Sequence, residues 1–295
     1  YVELNGLLLA DVASAKELGI NVAGRYSDFS NFGDTTNAKF GFTWRPIDEL
    51  LVRGTWAEGF RAPTIDDLYG GFSTSFEQYT DPCGIDATNS VNGNAACTGA
   101  GVPLGYVQLG QGLQPCTTYP CQTPNQFLSV PNPELLPETS TSKTAGLVWS
   151  PRGVEGLDIS LDWYSYQIEN MIISDSVDRI LRDCYVLGNA ARCSSVERDP
   201  GDGHITGMTY GRINLGRMET EGYDLGIKYR LPELSVGQFN IDWQTSYVSQ
   251  YDELGQNGNG DDIMIGRVGD PGIFRIRPNL GLGWGQGDLG VHYMA

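Results

Sequence analysis

The segment 54-GTWAEGFRAPTIDDLYGG-71 begins with the alternation of a β-strand and ends in residues that a strand does not tolerate. Trp56 and Phe60 fall on one side of the expected strand and Arg61 on the other, because successive side chains of a strand point to opposite faces. Pro63 then removes a hydrogen-bond donor and fixes φ, which ends strand pairing. The segment therefore predicts a strand that stops near Arg61 and passes into a long irregular connection.

The same alternation recurs along the chain in segments of about ten or more residues, which is the length of a tilted membrane-spanning strand. The strands of a β-sandwich also alternate, but they average about five or six residues. We therefore predict an all-β fold, an antiparallel transmembrane β-barrel, with strands near 1–10, 20–29, 38–46, 50–61, 139–150, 157–170, 212–231, 238–250, 272–284 and 288–295.

Alternation also assigns the two faces of the barrel wall, because apolar alternates face lipid and polar alternates face the lumen. The expected lipid-facing residues include Leu161, Trp163, Leu225, Ile227, Ile241 and Trp243, and the expected lumen-facing residues include Asp162, Lys228 and Asp242. Pro278 interrupts one strand. Because proline cannot donate to a ladder, it should mark a bulge or an unpaired position.

The connections between strands differ in length. Short connections that contain Pro or Gly alternate with long ones at about 62–138, 170–211 and 250–271. Short turns on one rim and long loops on the other are typical of an outer-membrane barrel. An aromatic residue precedes each short turn, and these residues are Trp44, Trp149, Tyr229 and Trp284. Because amphipathic rings prefer the headgroup level, the repetition predicts an interfacial girdle, whereas ordinary core packing does not explain it.

Composition narrows the class of function. The chain of 295 residues has a net charge of −17, which excludes nucleic acid as a partner. No apolar run reaches the roughly 18 residues of a transmembrane helix. No serine triad, His-rich metal site or phosphate loop is visible, so we predict no enzyme activity, no bound metal and no cofactor. The acidic stretch 252-DELGQNGNGDD-262 departs from the spacing of a calcium loop, and such stretches are interpreted as solvated surface.

The six cysteines all fall in the long connections, which predicts disulfides and an oxidising compartment. A zinc site would need clustered ligands, and neither His204 nor His292 lies in such a cluster. Cys184 is expected to bond Cys193, because the two would close a short loop. The other four should pair within residues 64–131; the pairs Cys83–Cys97 and Cys116–Cys121 are favoured, and nested pairing is the alternative.

Three motifs resemble those of TonB-dependent outer-membrane receptors. The first is Phe60-Arg61-Ala62-Pro63 with the acidic Leu-Tyr segment after it, and the second is Asn132-Pro133-Glu134-Leu135 followed by Pro137-Glu138-Thr139-Ser140. The third is 214-NLGRMETEGYDLGIKY-229, which contains Glu221 and Gly222. The motifs occur in the family's order over most of residues 1–295. The Cys-bearing loops resemble those of the large receptors of environmental proteobacteria.

The resemblance implies about ten strands of a larger, roughly 22-stranded barrel in the bacterial outer membrane, in contact with its lipid. A lipid-exposed sheet edge is not tolerated, so further strands should complete the barrel. The family's plug domain and TonB box are expected outside this chain. In the family, the TonB–ExbB–ExbD complex acts through that plug to import a scarce nutrient, such as a carbohydrate, a peptide, a siderophore or another metal chelate.

Two other functions share much of this sequence pattern. A passive large porin has the same composition, and the motif pair argues against it. A secreted, disulfide-rich β-sandwich adhesin or lectin would also alternate, but it would be soluble without detergent.

The motifs are expected to be structural, whereas the first long loop is expected to meet the ligand. Arg61 should pair with Asp66, Asp67 or Glu138 near the rim rather than contact substrate. The loop from Thr64 to Pro131 is predicted to form an extracellular cap that lines the substrate entrance, or else a shield without substrate contact. The candidate ligand-binding residues are Phe76, Tyr79, Asp81 and Tyr119, although these aromatic rings could also pack a core of the loop itself.

Overall fold

The structure is a computed structural model that describes residues 1–30, 32–87, 89–256 and 261–295. Its strands, in chain order, are β1 (Val2–Val12), β2 (Ala15–Phe29), β3 (Gly33–Ile47), β4 (Leu50–Arg61), β5 (Ser73–Ser75), β6 (Gln78–Tyr79), β7 (Cys121–Gln122), β8 (Phe127–Val130), β9 (Glu138–Trp149), β10 (Leu157–Ser174), β11 (Val196–Arg198), β12 (Ile205–Arg230), β13 (Gln238–Gln256), β14 (Asp262–Gly266), β15 (Ile276–Gln286) and β16 (Leu289–Met294). Four short helices are α1 (Ile65–Tyr69), α2 (Ala95–Gly99), α3 (Val177–Tyr185) and α4 (Ala190–Cys193), and a 3₁₀ turn covers Gln111–Leu113.

Ten long strands form one antiparallel meander in the order β1-β2-β3-β4-β9-β10-β12-β13-β15-β16. The sheet is open, with β1 and β16 at its two edges. Four short strands, β5, β8, β11 and β14, extend it at one end, where β8 runs parallel to β12. The prediction of an all-β, antiparallel fold is confirmed. Among the described residues, no helix is both long enough and apolar enough to cross a membrane.

The sheet has two rims. The turn rim carries short connections, such as Asp48–Glu49 between β3 and β4, and the loop rim carries the three long ones together with the short connection between β2 and β3. Several strands continue past their predicted ends at the loop rim: β10 reaches Ser174, β12 begins at Ile205, and β13 reaches Gln256. The extension of β12 pairs with β11, that of β13 with β14, and that of β10 with β12. Their polar residues are therefore stabilised by ladders that alternation does not predict. The acidic stretch 252–262 belongs in part to this extension, and its residues 257–260 lie outside the described residues.

The register separates the long strands into an apolar and a polar face. Directly paired residues of an antiparallel ladder project to the same side. Leu161 pairs with Leu225, Trp163 with Tyr223, and Ile227 with Trp243, so the predicted apolar set shares one face. Asp162, Lys228 and Asp242 lie on the other face. The division into two faces is confirmed, and contact of the apolar face with lipid stays a prediction.

Pro278 causes no bulge. It lies opposite Thr245 in an unbroken register between β13 and β15. The first predicted alternative, a bulge, is therefore wrong, and an unpaired position stays a prediction.

Two of the predicted girdle residues bind the neighbouring turn through the indole N–H. Trp44 Nε1 donates to the carbonyl of Ser14 at 3.0 Å, and Trp284 Nε1 donates to the carbonyl of Val236 at 2.7 Å. Both acceptors lie in short connections at the turn rim. The indole thus satisfies a turn carbonyl, and the placement of these rings at a membrane interface stays a prediction.

The polar face is braced by an ion pair that crosses a strand. Arg53 of β4 reaches over Gly146 of β9 to Asp162 of β10, and Arg53 Nη2 lies 2.9 Å from Asp162 Oδ1. A Cβ at Gly146 would lie 1.9 Å from that carboxylate oxygen. Glycine is therefore required at this position by the close approach of the ion pair rather than by its own backbone angles.

The face assignment can be tested with spin labels in the membrane-inserted protein. Labels at Leu161, Leu225 and Trp243 are expected to be accessible to oxygen, which concentrates in lipid, because these side chains share the apolar face. Labels at Asp162 and Lys228 are expected to be accessible to a water-soluble nickel chelate instead. The opposite pattern would show that the register is shifted by one residue.

The role of Gly146 can be tested against a glycine with free space around it. We expect Gly146→Ala to lower the free energy of unfolding by about 1–3 kcal/mol, because the methyl group displaces Asp162. Gly24→Ala is the matched control, since a Cβ at that strand position has nothing within 4 Å. Urea unfolding of the protein in lipid vesicles measures both. Equal stabilities of the two variants would contradict the close approach.

Candidate functional site

An ion pair closes the first long connection where β4 ends and β9 begins. Arg61 and Glu138 are opposite each other in the register. Arg61 Nε donates to Glu138 Oε2 at 2.6 Å, and Arg61 Nη2 contacts Glu138 Oε1. Glu138 is buried, and its Oε1 also accepts from the backbone N–H of Ile172 in β10 at 2.8 Å. Of the three carboxylates offered by the sequence, the structure pairs Arg61 with Glu138, which links β4, β9 and β10 at the loop rim.

The helix α1, which follows Arg61 in the chain, is also bonded to a strand at the loop rim. Thr64 Oγ1 accepts from the backbone N–H of Asp67, and Asp67 Oδ2 accepts from that of Thr64, both at 3.1 Å, which forms a capping box. The hydrogen bond from Thr64 lowers the pKa of the Asp67 carboxyl below its ordinary value. Asp67 therefore stays charged beside Arg212 Nε, which lies 3.5 Å from Asp67 Oδ1. The capping box thus fixes the carboxylate that ties α1 to β12.

Two asparagine side chains hold the return into β9. Asn132 Nδ2 donates to the carbonyl of Arg212 at 2.9 Å. Asn214 binds both backbone groups of Leu136, with its Nδ2 donating and its Oδ1 accepting at 2.8 Å. Beneath them, Leu68, Leu135 and Ile172 form a small apolar cluster. The second motif therefore meets the third motif in space.

The remaining motif residues also contact protein. The Phe60 ring lies edge-on to Phe29, with centroids 5.7 Å apart. Trp163 Nε1 donates to Glu221 Oε1 at 3.1 Å, and Gly222 leaves room for the Tyr164 hydroxyl, which would lie 2.4 Å from a Cβ. Pro63 is buried, Ala62 and Pro137 are half-buried, and Pro133 and Thr139 are exposed.

The first and second long connections, residues 62–137 and 175–204, fold together into one unit, here called the cap. Side chains of α3 at the spacing of an amphipathic helix, among them Val177, Ile180 and Leu181, are buried. They share one core with Cys184 and Tyr185 of the same helix and with side chains of the first connection and of β12: Tyr79, Cys83, Cys97, Val102, Tyr106, Phe127, Ile205 and Met208. The two connections therefore bury their apolar surface against each other, which two independent loops could not do.

Three disulfides cross-link the cap. They join Cys83 to Cys97, Cys116 to Cys121, and Cys184 to Cys193. This is the pairing that the spacing in the sequence favours, and nested pairing does not occur. Each bond closes a loop within one connection, so the contact between the two connections depends on noncovalent interactions.

One of these interactions is a buried ion pair between Asp81 and Arg198. Arg198 donates from Nη1 to Asp81 Oδ2 at 2.7 Å and from Nη2 to Asp81 Oδ1 at 2.9 Å. The side chains are 0% and 3% exposed. Arg198 Nε also donates to the Tyr185 hydroxyl at 2.8 Å, and its guanidinium lies over the Tyr185 ring. Burial alone would lower the pKa of Arg198, but the Asp81 carboxylate raises it above its ordinary value. The arginine therefore remains charged.

A second charged network joins α3 to the hairpin β13–β14. Arg179 is buried and lies 3.7 Å from Asp175 and 3.2 Å from Asp262. Arg182 contacts Asp261, also by an ion pair. The cap is thus bonded on one side to the motif residues at the loop rim and on the other side to the third long connection.

The structure places the four predicted ligand residues differently. Tyr79 and Asp81 are 1% and 0% exposed within the cap core, so a ligand at the surface cannot reach them, and the prediction of direct contact requires this correction. The physical reason is that Tyr79 packs against Phe127 and Asp81 neutralises an arginine. Phe76 is 45% exposed, and Tyr119 is half-buried beside Cys121. Ligand contact by Phe76 and Tyr119 stays a prediction.

Sequence reasoning missed Arg198, which lies in an acidic stretch of the kind that is interpreted as solvated surface. The partner Asp81 is 117 residues away in the chain, so no local sequence pattern predicts the pair. The nearest signal is the alternation of the three residues in β11, which is too short to be recognised as a strand.

Close to Arg198, the turn between β11 and β12 brings Asp199, Asp202 and His204 within 4.8 Å of one another. Asp202 Oδ1 already accepts from the backbone N–H of His204 at 3.0 Å and contacts its Nδ1 at 2.5 Å. Asp199 Oδ1 accepts from the backbone N–H of Gly201 at 2.7 Å. These carboxylates thus stabilise the turn through hydrogen bonds. The absence of a bound metal stays a prediction.

Removal of one partner of the buried ion pair should destabilise the cap. We expect Arg198→Met to increase hydrogen exchange of the amides in 79–108 and 177–185 by an amount equivalent to about 3–5 kcal/mol, because Asp81 is left buried and unpaired. Arg267→Met removes a half-buried arginine from its pairs with Glu253 and Asp270 and serves as the matched control, with an expected effect of about 0–1 kcal/mol. Similar exchange in the two variants would contradict the prediction that Asp81 needs its buried partner.

Comparison with known proteins agrees with this architecture. Residues 6–293 match the family model described as TonB dependent receptor-like, beta-barrel. The fold resembles the siderophore receptor PirA from Acinetobacter baumannii, with a TM-score of 0.56, 12% identity, and coverage of 96% of this chain and 31% of that receptor. It also resembles a mutant of the ferric enterobactin receptor PfeA from Pseudomonas aeruginosa, with a TM-score of 0.54, 17% identity, and coverage of 92% and 28%.

No curated protein matches the chain. The chain spans less than a third of each of these two receptors, and at such identities the likeness concerns the fold. The family match nevertheless covers nearly all of the chain, and the predicted motifs lie where the strands of that barrel meet their loops. The chain belongs to the family of TonB-dependent receptors and has the fold of their outer-membrane β-barrel.

Proposed function

We propose that this chain forms part of the barrel wall and the extracellular cap of an outer-membrane receptor. The receptor actively imports a scarce nutrient. In this proposal, energy reaches the receptor from TonB–ExbB–ExbD through a plug domain. The observation that carries the proposal is the combination of the family's barrel sheet with a folded, cross-linked cap at one rim. A connection whose only task is to join two strands needs about 4–6 residues and no core.

The motifs in the wall support a structural frame rather than a binding site. Arg61, Glu138 and Asn214 each bind protein groups, so they are occupied before any ligand arrives. Ligand recognition is therefore assigned to the cap. The connections at about 62–138, 170–211 and 250–271 would face the cell exterior, where disulfides persist.

Pre-organisation favours a binding cap over a shield. The cap core and its disulfides fix the backbone before binding, which reduces the entropy lost when a ligand is held. A shield gains nothing from such rigidity. The exposed ring of Phe76 and the half-buried Tyr119 lie on this fixed backbone, and we propose that they contact the ligand.

Dependence on TonB can be measured in a Gram-negative strain that produces the complete receptor. Under nutrient limitation, growth is expected to require both the receptor and TonB, because a plugged barrel does not open without that energy. A strain with the receptor gene but no TonB is the matched control. Growth that needs the receptor but not TonB would contradict the proposal.

The passive-porin alternative is tested separately by swelling of liposomes that contain the complete receptor, with arabinose and raffinose as the probes. We expect no swelling beyond that of protein-free liposomes. Rapid entry of both sugars would indicate an open pore and would contradict a plugged receptor.

A further inference from the structure

The first connection of the cap has no basic side chain. Between Arg61 and Lys143 the sequence contains neither lysine, arginine nor histidine. Carboxylates occur throughout its residues 62–137, at Asp66, Asp67, Glu77, Asp81, Asp86 and Glu134. Asp67 and Asp81 pair with Arg212 and Arg198, and the excess of carboxylates in this connection lowers the local concentration of anions and raises the cost of their approach. This connection therefore repels an anionic ligand.

The second connection has cations, but each is already neutralised. Within the described residues of the cap, Arg179 pairs with Asp175 and Asp262, and Arg198 with Asp81. Arg182 pairs with Asp183 and Asp261, and Arg192 pairs with Asp175 and Asp183. His204 contacts Asp202. A ligand anion would have to displace a carboxylate from one of these pairs, which leaves that carboxylate unpaired.

The exposed surface instead combines an aromatic ring with amide groups. Phe76 is 45% exposed, and its carbonyl accepts from Gln122 Nε2 at 3.4 Å. Gln111 Nε2 donates to Gln122 Oε1 at 2.7 Å. Gln78 pairs directly with Gln122 between β6 and β7, so the two side chains share one face. A ring beside amides offers a stacking surface and uncharged donors and acceptors, which match the C–H faces and hydroxyl groups of a sugar.

The tip that carries Gln111 is held in place. The Cys116–Cys121 disulfide closes the turn, and Gly110 packs against it so closely that a Cβ would lie 2.5 Å from Cys121 Sγ. The amides are therefore presented by a restrained backbone, which lowers the ordering cost of binding.

We propose that the cap binds a neutral, polyhydroxylated ligand of the oligosaccharide class at the surface formed by Phe76, Gln78, Gln111 and Gln122. This inference rests on the proposed function and narrows its nutrient. It separates this chain from receptors for anionic chelates, since a ferric catecholate carries net negative charge and the described part of the cap offers no free cation to receive it.

The test measures binding by isothermal titration calorimetry to the complete receptor in detergent. The neutral probes are the hexasaccharides of glucose, xylose, mannose and N-acetylglucosamine. The anionic probes are hexagalacturonate, which matches them in length, and ferric enterobactin. We expect at least one neutral probe to bind, with an affinity that changes less than about twofold between low and high salt, because no charge is neutralised.

Two variants locate the site. Phe76→Ala and Gln122→Ala should each weaken binding of that neutral probe by about tenfold or more, since each loses a contact of order 1.4 kcal/mol. Phe72→Ala is the matched control, because Phe72 is also an exposed phenylalanine of the same connection but is not among the residues of the proposed surface, and its effect should be less than about twofold.

Each outcome decides the proposal. Binding of a neutral probe that falls in both variants but not in the control supports it. It is overturned by binding only to an anionic probe, by binding to none of the neutral probes, or by neutral binding that Phe76→Ala and Gln122→Ala leave unchanged. TonB-dependent growth is scored independently, so a receptor that imports an anionic nutrient would refute the ligand class and leave the transport function intact.

Discussion

The need to pair every backbone amide within lipid determines the rest of this structure. A membrane interior offers no water to an unpaired N–H or C=O, so each strand of a barrel wall must be laddered along its full length. The chain can leave the sheet only at a rim, and here it does so at Arg61 and returns at Glu138. The ion pair between these residues, with the Ile172 amide on the same carboxylate, fixes the exit, the return and the next strand together.

Beyond the rim the chain must find a core of its own, because the wall presents its apolar face outward. The cap solves this by combining two connections: α3 from one buries its apolar face against Tyr79 and Phe127 from the other. Burial of such side chains contributes about 1.5–3 kcal/mol each. The Asp81–Arg198 pair adds less net energy than its contacts suggest, because both groups lose hydration. Its larger effect is on specificity, since only one mutual arrangement of the two connections neutralises both charges.

The wall could be predicted from the sequence and the cap core could not, for a physical reason. Alternation is a local consequence of strand geometry, so Leu161, Asp162 and Trp163 reveal their faces without knowledge of their neighbours. The cap has no such period. Tyr79 and Asp81 resemble ligand contacts in sequence because aromatic and acidic residues in a loop are usually exposed, and only a partner 117 residues away makes Asp81 structural. The same limit hid the strand extensions that pair with β11 and β14.

The ion pairs of the arginines in the cap affect both the stability of the cap and the kind of ligand that it can bind. A chain with a net charge of −17 has few cations to place, and in the cap they are held by Asp81, Asp175 and Asp262. Each such pair stabilises the cap by leaving no buried charge uncompensated, and by doing so it removes a group that could bind an anion. Recognition must then rely on groups that are not needed for packing. The exposed Phe76 ring is of this kind, and the amides of Gln111 and Gln122 keep hydrogen-bonding capacity beyond the bonds that they make with each other and with the Phe76 carbonyl. The architecture that makes the cap rigid therefore also selects the uncharged chemistry of its surface.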